Sequence, residues 1–281
     1  MLLLFLALLT LLVLWRLGRL AFFVGLRAAR TPQVVELGRW AWRHPIRALL
    51  SLRWPRLAAF LSARLALRHF ENLPLTLLVI AAIYAAALFG GLIEELHDAA
   101  GLITFDAAIR DAFQPWRHGA LLQFFLWLTH LGDTATLTAV ALSATGLLWS
   151  QRTNPILLPL WVTIVGANTT TWISKFAIGR PRPEFITAAT AVSSSFPSGH
   201  ATGAMALYGF IAYIIARRHP TAEARFDIAY WTAALILLIG FSRIYLSVHY
   251  ASDVVGGFLV GGFWLMAGIT LAEWRRAHSK R

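Results

Sequence analysis

The chain reads as an all-α, polytopic membrane protein: a six-helix transmembrane core, an N-terminal apolar helix and amphipathic helices on the cytoplasmic face. Three observations predict this. Hydrophobic residues make up 58% of the chain and charged residues only 14%, against about one-quarter charged in soluble domains. Several apolar runs approach the ~20 residues that cross hydrocarbon. Arginine is concentrated in the stretches that flank those runs, as the positive-inside rule expects.

Residues 2–14 are strongly apolar and are followed by Arg16 and Arg19. No basic residue precedes this run and no small-x-small cleavage site follows it, so residues 1–26 read as a retained membrane anchor or an interfacial helix rather than a cleaved signal peptide. Residues 27–70 mix basic and apolar side chains (Arg39, Trp40, Trp42, Arg43, Arg47, Arg53, Trp54, Arg56, Arg64). That pattern suits amphipathic helices on the inner headgroup layer. The core, residues 71–273, follows with spans at 73–92, 134–149, 155–177, 200–216, 228–248 and 254–271. An amphipathic approach over 103–131 leads into the second span, and residues 274–281 form a basic cytoplasmic tail. Gly256-Gly257 and Gly261-Gly262 read as helix-packing sites, and Asn168, inside span three, as a packing residue rather than a glycan acceptor.

The net charge of +12 lies largely in these flanks, so it points to topology and the lipid bilayer and not to nucleic acid. The chain has no cysteine, which excludes disulfides, thiolate catalysis and Cys-ligated zinc. No HExxH zinc motif and no Lys-Ser/Thr phosphate loop occurs. Alternating spans put the 27–69 segment, Arg152, Arg217, Arg218, Arg225, Arg275 and Arg276 on one side, which is then cytoplasmic. The opposite side receives an acidic loop with Glu94, Glu95, Asp98, Asp106 and Asp111. It also receives Arg180, Arg182 and Arg243, which a site needing cations would explain. His97, His118 and His130 read as loop or interface residues.

Three short blocks end or begin spans on that outer side: Lys175 with Arg182-Pro183, Pro197-Ser198-Gly199-His200, and Ser242-Arg243 with His249 and Asp253. Their chemistry suits a phosphate without a metal ion. Lys175 supplies a point charge, and Arg182 and Arg243 supply planar forks for oxyanions. For each cation alone, snorkelling to the interface would be the plainer reading. Ser198 is a natural helix N-cap, and the amides of Gly199 and His200 would face an anion ahead of the helix. His200 is placed as a general acid for a leaving oxygen. His249 and Asp253 are spaced i,i+4, so the carboxylate can fix one imidazole nitrogen and leave the other to attack phosphorus.

These blocks resemble the type 2 phosphatidic acid phosphatase family, which includes vanadium haloperoxidases and bacterial acid phosphatases. Its pattern of Lys-x6-Arg-Pro, Pro-Ser-Gly-His and Ser-Arg-x5-His-x3-Asp is matched throughout, over a core of about residues 73–271. The resemblance implies His249 as nucleophile, Asp253 as its orienter and His200 as the acid. It implies Lys175, Arg182, Ser198, Gly199 and Arg243 as phosphoryl ligands, with no metal or other cofactor. Membrane members act at the outer face of the bacterial inner membrane on lipid phosphates or pyrophosphates: undecaprenyl pyrophosphate, phosphatidylglycerophosphate, phosphatidic acid or lipid A. A phosphotransferase would use the same residues with another acceptor for the phosphoryl group. A non-catalytic lipid carrier would need the cations but not the nucleophile, orienter and acid.

Overall fold

Apolar helices dominate because hydrocarbon offers backbone amides no partner, and only a helix satisfies them within one segment. The computed structural model describes residues 2–29, 31–33, 36, 52–64, 73–98, 100–183 and 193–278, and every regular element among them is helical. The chain divides into two compact units, Phe5–Leu78 and a second that holds Val79–Arg281.

The first unit contains α1 (Leu2–Ala29) from Phe5 onward and α2 (Pro55–Arg64). Residues Leu6–Ala29 are long and apolar enough to cross a bilayer. Arg16 and Arg19 lie over the Trp15 ring, at 4.9 and 5.5 Å from its centroid, so the first basic residues of the chain are held against an interfacial aromatic side chain. Much of the basic amphipathic stretch, including Arg39, Trp40, Trp42, Arg43 and Arg47, lies outside the described residues.

The division between the units falls inside α3 (Leu73–Asp98). The second unit continues with α4 (Ala100–Ala112), α5 (Gly119–Thr129), α6 (Thr134–Ser150), α7 (Leu157–Ile178), α8 (Gly199–Arg218), α9 (Ala222–Tyr245) and α10 (Ala251–His278). The approach expected over 103–131 is two helices. α5 and α6 meet at a 48° bend, because the 3-10 turn His130–Gly132 and the extended Asp133 interrupt the ladder between them.

α8 is the hub, packed against α6, α7, α9 and α10. Its approach to α10 depends on missing side chains. A Cβ on Gly257 would stand 2.6 Å from the Ser198 carbonyl oxygen, and one on Gly261 would stand 2.6 Å from that of Thr202. Gly256 gives way in the same manner to the Phe196 ring, whereas Gly262 faces nothing within 4 Å. The two ends of the bundle differ in chemistry. At one, Arg218 donates to Gln151 at 2.7 Å, and Glu273 receives Tyr213 at 2.7 Å and pairs with Arg217. At the other, all three motif blocks meet.

Close helix contact of this kind tolerates no added methyl, and overpacking costs about 1–3 kcal/mol. Gly261→Ala is expected to lower the thermal unfolding midpoint of the detergent-solubilised protein. Gly262→Ala, one residue away, is expected to leave it unchanged; equal effects would show that α8 and α10 are not in this register.

Candidate functional site

α9 stops at Tyr245, and the turn that follows reverses the chain through Ser247, whose φ of 55° lies in the left-handed region. The turn lets the amides of both Val248 and His249 return to the Arg243 carbonyl, at 3.2 and 3.3 Å. His249 therefore sits just ahead of α10, not on it, and Asp253 lies in the first turn of α10. The i,i+4 pair still meets, with Nδ1 of His249 at 3.3 Å from Oδ2 of Asp253. His249 is buried and Asp253 wholly so.

Asp253 is the most heavily used acceptor in the site. It takes the Tyr250 amide at 2.9 Å, the Ser195 hydroxyl and Nη1 of Arg180 at 2.6 Å. A carboxylate in a helix's first turn is also favoured by the helix dipole. Its backbone carbonyl accepts the Ser198 amide at 2.9 Å, which ties the Pro-Ser-Gly-His block to the first turn of α10.

Arg180 and Asp106 correct the sequence reading. Asp106 is not part of an exposed acidic loop: it is 1% exposed on α4 and accepts Nη2 of Arg180 at 2.8 Å. It also receives the Ser252 amide at 3.0 Å and the Ser252 hydroxyl. Arg180 is thus not a cation offered to a ligand; it is neutralised by two carboxylates and stacked 4.2 Å from the Tyr250 ring centroid. Burial lowers its pKa, but Asp253 and Asp106 more than offset that, and the net shift is upward.

The remaining cations face a cavity of about 740 Å³, lined by Lys175, Arg182, Gly199, His200, Arg243 and His249. Lys175 is buried and donates to the Ser194 carbonyl, so it does not snorkel. α7 ends at Gly179, which has φ 62° and returns its amide to Lys175 at 3.1 Å. That left-handed cap, natural for glycine, turns Arg182 back over the site. Arg182 donates to the Ser193 and Val248 carbonyls at 2.6 and 2.7 Å, and its Nη1 lies 3.1 Å from Nε2 of His249. Nε2 then accepts and Nδ1 carries the proton toward Asp253. Burial pushes the His249 pKa down to about 3 against the opposing pull of Asp253, so the ring is neutral with a free lone pair on Nε2.

Ser198 occupies the N-cap position of α8, yet its hydroxyl makes no capping bond. Its Oγ and the Nε of Arg243 are buried polar atoms without a hydrogen-bond partner, while Nη1 of Arg243 donates to Thr129 at 2.5 Å. Orphaned donors are costly in a buried site, and a phosphoryl group's oxygens would satisfy both. His200 completes the constellation through a partner that sequence reading missed. Its Nε2 lies 2.7 Å from Oδ1 of Asp133, whose Oδ2 lies 2.7 Å from Nδ1 of His130. The hydrogen bond from His200 holds the Asp133 carboxyl down at about 2. The short His130–Asp133 spacing was a signal, but its link to His200 arises from tertiary packing. Away from the cations much of the wall is apolar, with Leu137, Ala141, Trp161, Ile164 and Leu207, and Thr138 and Asn168 stand among them.

Comparison with known proteins fits this geometry. A PAP2 superfamily model matches residues 156–277, which hold all three blocks. Phosphatidylglycerophosphatase B of Bacillus subtilis (strain 168) is 31% identical over 194 residues, 67% of this chain and 89% of that protein. Lipid A 1-phosphatase of Rhizobium etli is 27% identical over 200 residues, 62% of this chain and 81% of that protein. The crystal structure of a transmembrane PAP2 type phosphatidylglycerolphosphate phosphatase from Bacillus subtilis superposes with a TM-score of 0.62 at 27% identity. It covers 67% of this chain and 94% of that one.

Two outcomes follow. Removing one member of a buried ion network costs about 3–5 kcal/mol, so Asp106→Ala and Arg180→Ala should each lower the thermal midpoint in detergent strongly. The double variant should be less destabilised than the sum, whereas strict additivity would show that the pair does not interact. In 15N-histidine spectra, the His249 signal, identified by its loss in His249→Gln, should remain neutral and Nδ1-protonated from pH 7 down to pH 5. A midpoint near the ordinary imidazole value of about 6.5 would contradict the buried, neutral imidazole.

Proposed function

The chain belongs to the PAP2 superfamily, the type 2 phosphatidic acid phosphatase family that its motifs resemble. On that premise we propose that it hydrolyses a lipid phosphate or lipid pyrophosphate through a phosphohistidine on His249. The observation that carries this reading is the placement of Nε2 of His249, neutral and 3.1 Å from Arg182, in a cavity shared with Lys175, Arg243 and His200.

In the first step the Nε2 lone pair attacks phosphorus and the bond to the leaving oxygen breaks, while a proton passes from His200 to that oxygen. Asp253 stabilises the positive charge that develops on the His249 ring. In the second step water attacks phosphorus, His200 takes its proton, and the P–N electron pair returns to Nε2. Lys175, Arg182 and Arg243, with the Ser198 hydroxyl and the amides of Gly199 and His200, hold the phosphoryl oxygens. Such fixed donors supply the charge stabilisation that a divalent metal supplies elsewhere, so the reaction needs no metal ion.

The relatives' names extend the reading to substrate. One is a phosphatidylglycerophosphatase and the other a lipid A 1-phosphatase, and the apolar wall of the cavity suits the lipid part of such a molecule. Phosphatidylglycerophosphate, phosphatidic acid, lipid A and undecaprenyl pyrophosphate are the candidates. The arginine distribution supports a site on the outer, periplasmic face of a bacterial inner membrane: Arg152, Arg217, Arg218, Arg275 and Arg276 belong to the opposite end of the bundle.

The purified protein should release phosphate from at least one member of a lipid mono- and pyrophosphate panel in EDTA, and His249→Ala should abolish release. Turnover that requires an added divalent ion would refute the metal-free mechanism. Orientation is open to direct labelling, since the chain has no cysteine. In intact cells Asp111→Cys should react with an impermeant maleimide and Arg152→Cys should not; the reverse pattern would invert the topology.

A further inference from the structure

The phosphohistidine reading needs His200 to hold a proton beside two guanidinium groups, and the structure shows what opposes them. Arg243 from α9 and Arg182 from the segment after α7 line the same cavity as His200, so two fixed cations share that space with its ring. Lys175 on α7 and the neutral ring of His249 line the same cavity. The carboxylate set against these cations is Asp133, at the start of α6, with His130 on its other oxygen.

This arrangement is built rather than incidental. Asp133 divides its two oxygens between two imidazoles at the same distance, 2.7 Å to His200 and 2.7 Å to His130. The turn that carries it is shaped to the His200 ring: a Cβ on Gly132 would meet His200 Cδ2 at 2.9 Å and His200 Cβ at 3.0 Å. A second strap comes from α8 itself, where the Tyr208 hydroxyl donates to the Leu131 carbonyl at 2.6 Å. Among the described residues no group of three His, Asp or Glu side chains could hold a metal ion, so the cluster is a hydrogen-bonded chain.

We propose that Asp133 is a positioning residue for the general acid: it engages Nε2 of His200, leaves Nδ1 to deliver and retrieve the leaving-group proton, and has its strength set by His130. The two carboxylate–histidine pairs then use opposite ring nitrogens. Asp253 takes Nδ1 of His249 and frees Nε2 to attack; Asp133 takes Nε2 of His200 and frees Nδ1 to donate. His130, whose side chain is 64% exposed, drains charge from Asp133 and so weakens its hold on the His200 proton.

The inference rests on the phosphohistidine reading, and leaving-group chemistry separates the two. An alkoxide departs only with a proton, whereas p-nitrophenolate departs without one. Asp133→Asn should slow release from a lipid alkyl phosphate by about 10²-fold or more, within the span of general-acid contributions. It should slow p-nitrophenyl phosphate far less, and it should shift the alkaline limb of kcat to lower pH. His130→Ala, an exposed change, should shift that limb to higher pH with the thermal midpoint unchanged. Equal slowing of both esters with an unmoved limb would assign Asp133 a structural role and overturn the proposal, as would no slowing at all. If Asp133→Asn does not fold, the His130→Ala limb decides, and an unshifted limb overturns the proposal. Full turnover in His249→Ala, by contrast, would sink the phosphohistidine reading itself, and this assignment with it.

Discussion

The rest of the site depends on one constraint: a fully buried carboxylate, Asp253, must have every lone pair answered. Isolated charge in a low-dielectric interior is costly, and burial is tolerated only with pairing and hydrogen bonds. Asp253 meets this with the Tyr250 amide, the Ser195 hydroxyl, Arg180 and His249. The partners come from three parts of the chain: the end of α7, the segment before α8 and the loop into α10. The Tyr250 bond shapes the start of α10, Ser195 fixes the segment before α8, Arg180 anchors the end of α7, and His249 is held at the cavity wall. Satisfying one acid thus assembles the three motif blocks.

Much of this was legible in the sequence because the chemistry is concentrated at span ends. Lys175, Arg182, Gly199, His200, Arg243 and His249 line one cavity, and Asp253 stands behind His249 as the spacing suggested. The membrane helices were legible too, since a bilayer forces long apolar runs. What sequence did not reveal was which charges cancel. Arg180 and Arg182 are separated by a single proline and look alike, yet one is consumed by Asp106 and Asp253 while the other faces Nε2 of His249. That distinction is made by α4, which lies far away in the chain and carries no motif. Ser198 likewise has the residue type of a cap, but its hydroxyl makes no capping bond.

Electrostatically the cavity is graded. One end carries three cations and a neutral histidine; a bridged carboxylate stands to one side, and apolar side chains form much of the remaining wall. Charge repulsion among the cations makes the site favour an anion. The cost is that any proton held nearby must be defended. The Asp133 carboxylate, placed at a break between two helices, is the defence.

That break and the buried pair on α4 have a consequence for what counts as the smallest working unit. Residues 156–277 hold every motif residue, and by sequence signature they would be taken for the whole catalyst. Asp106 and Asp133 both precede them. A fragment beginning at α7 would keep Lys175, Arg182, Ser198, His200, Arg243, His249 and Asp253, yet leave Arg180 with one counter-ion in place of two and His200 with none. The signature marks where the reaction happens; the groups that keep its charges in their working states are supplied by helices that the signature does not reach.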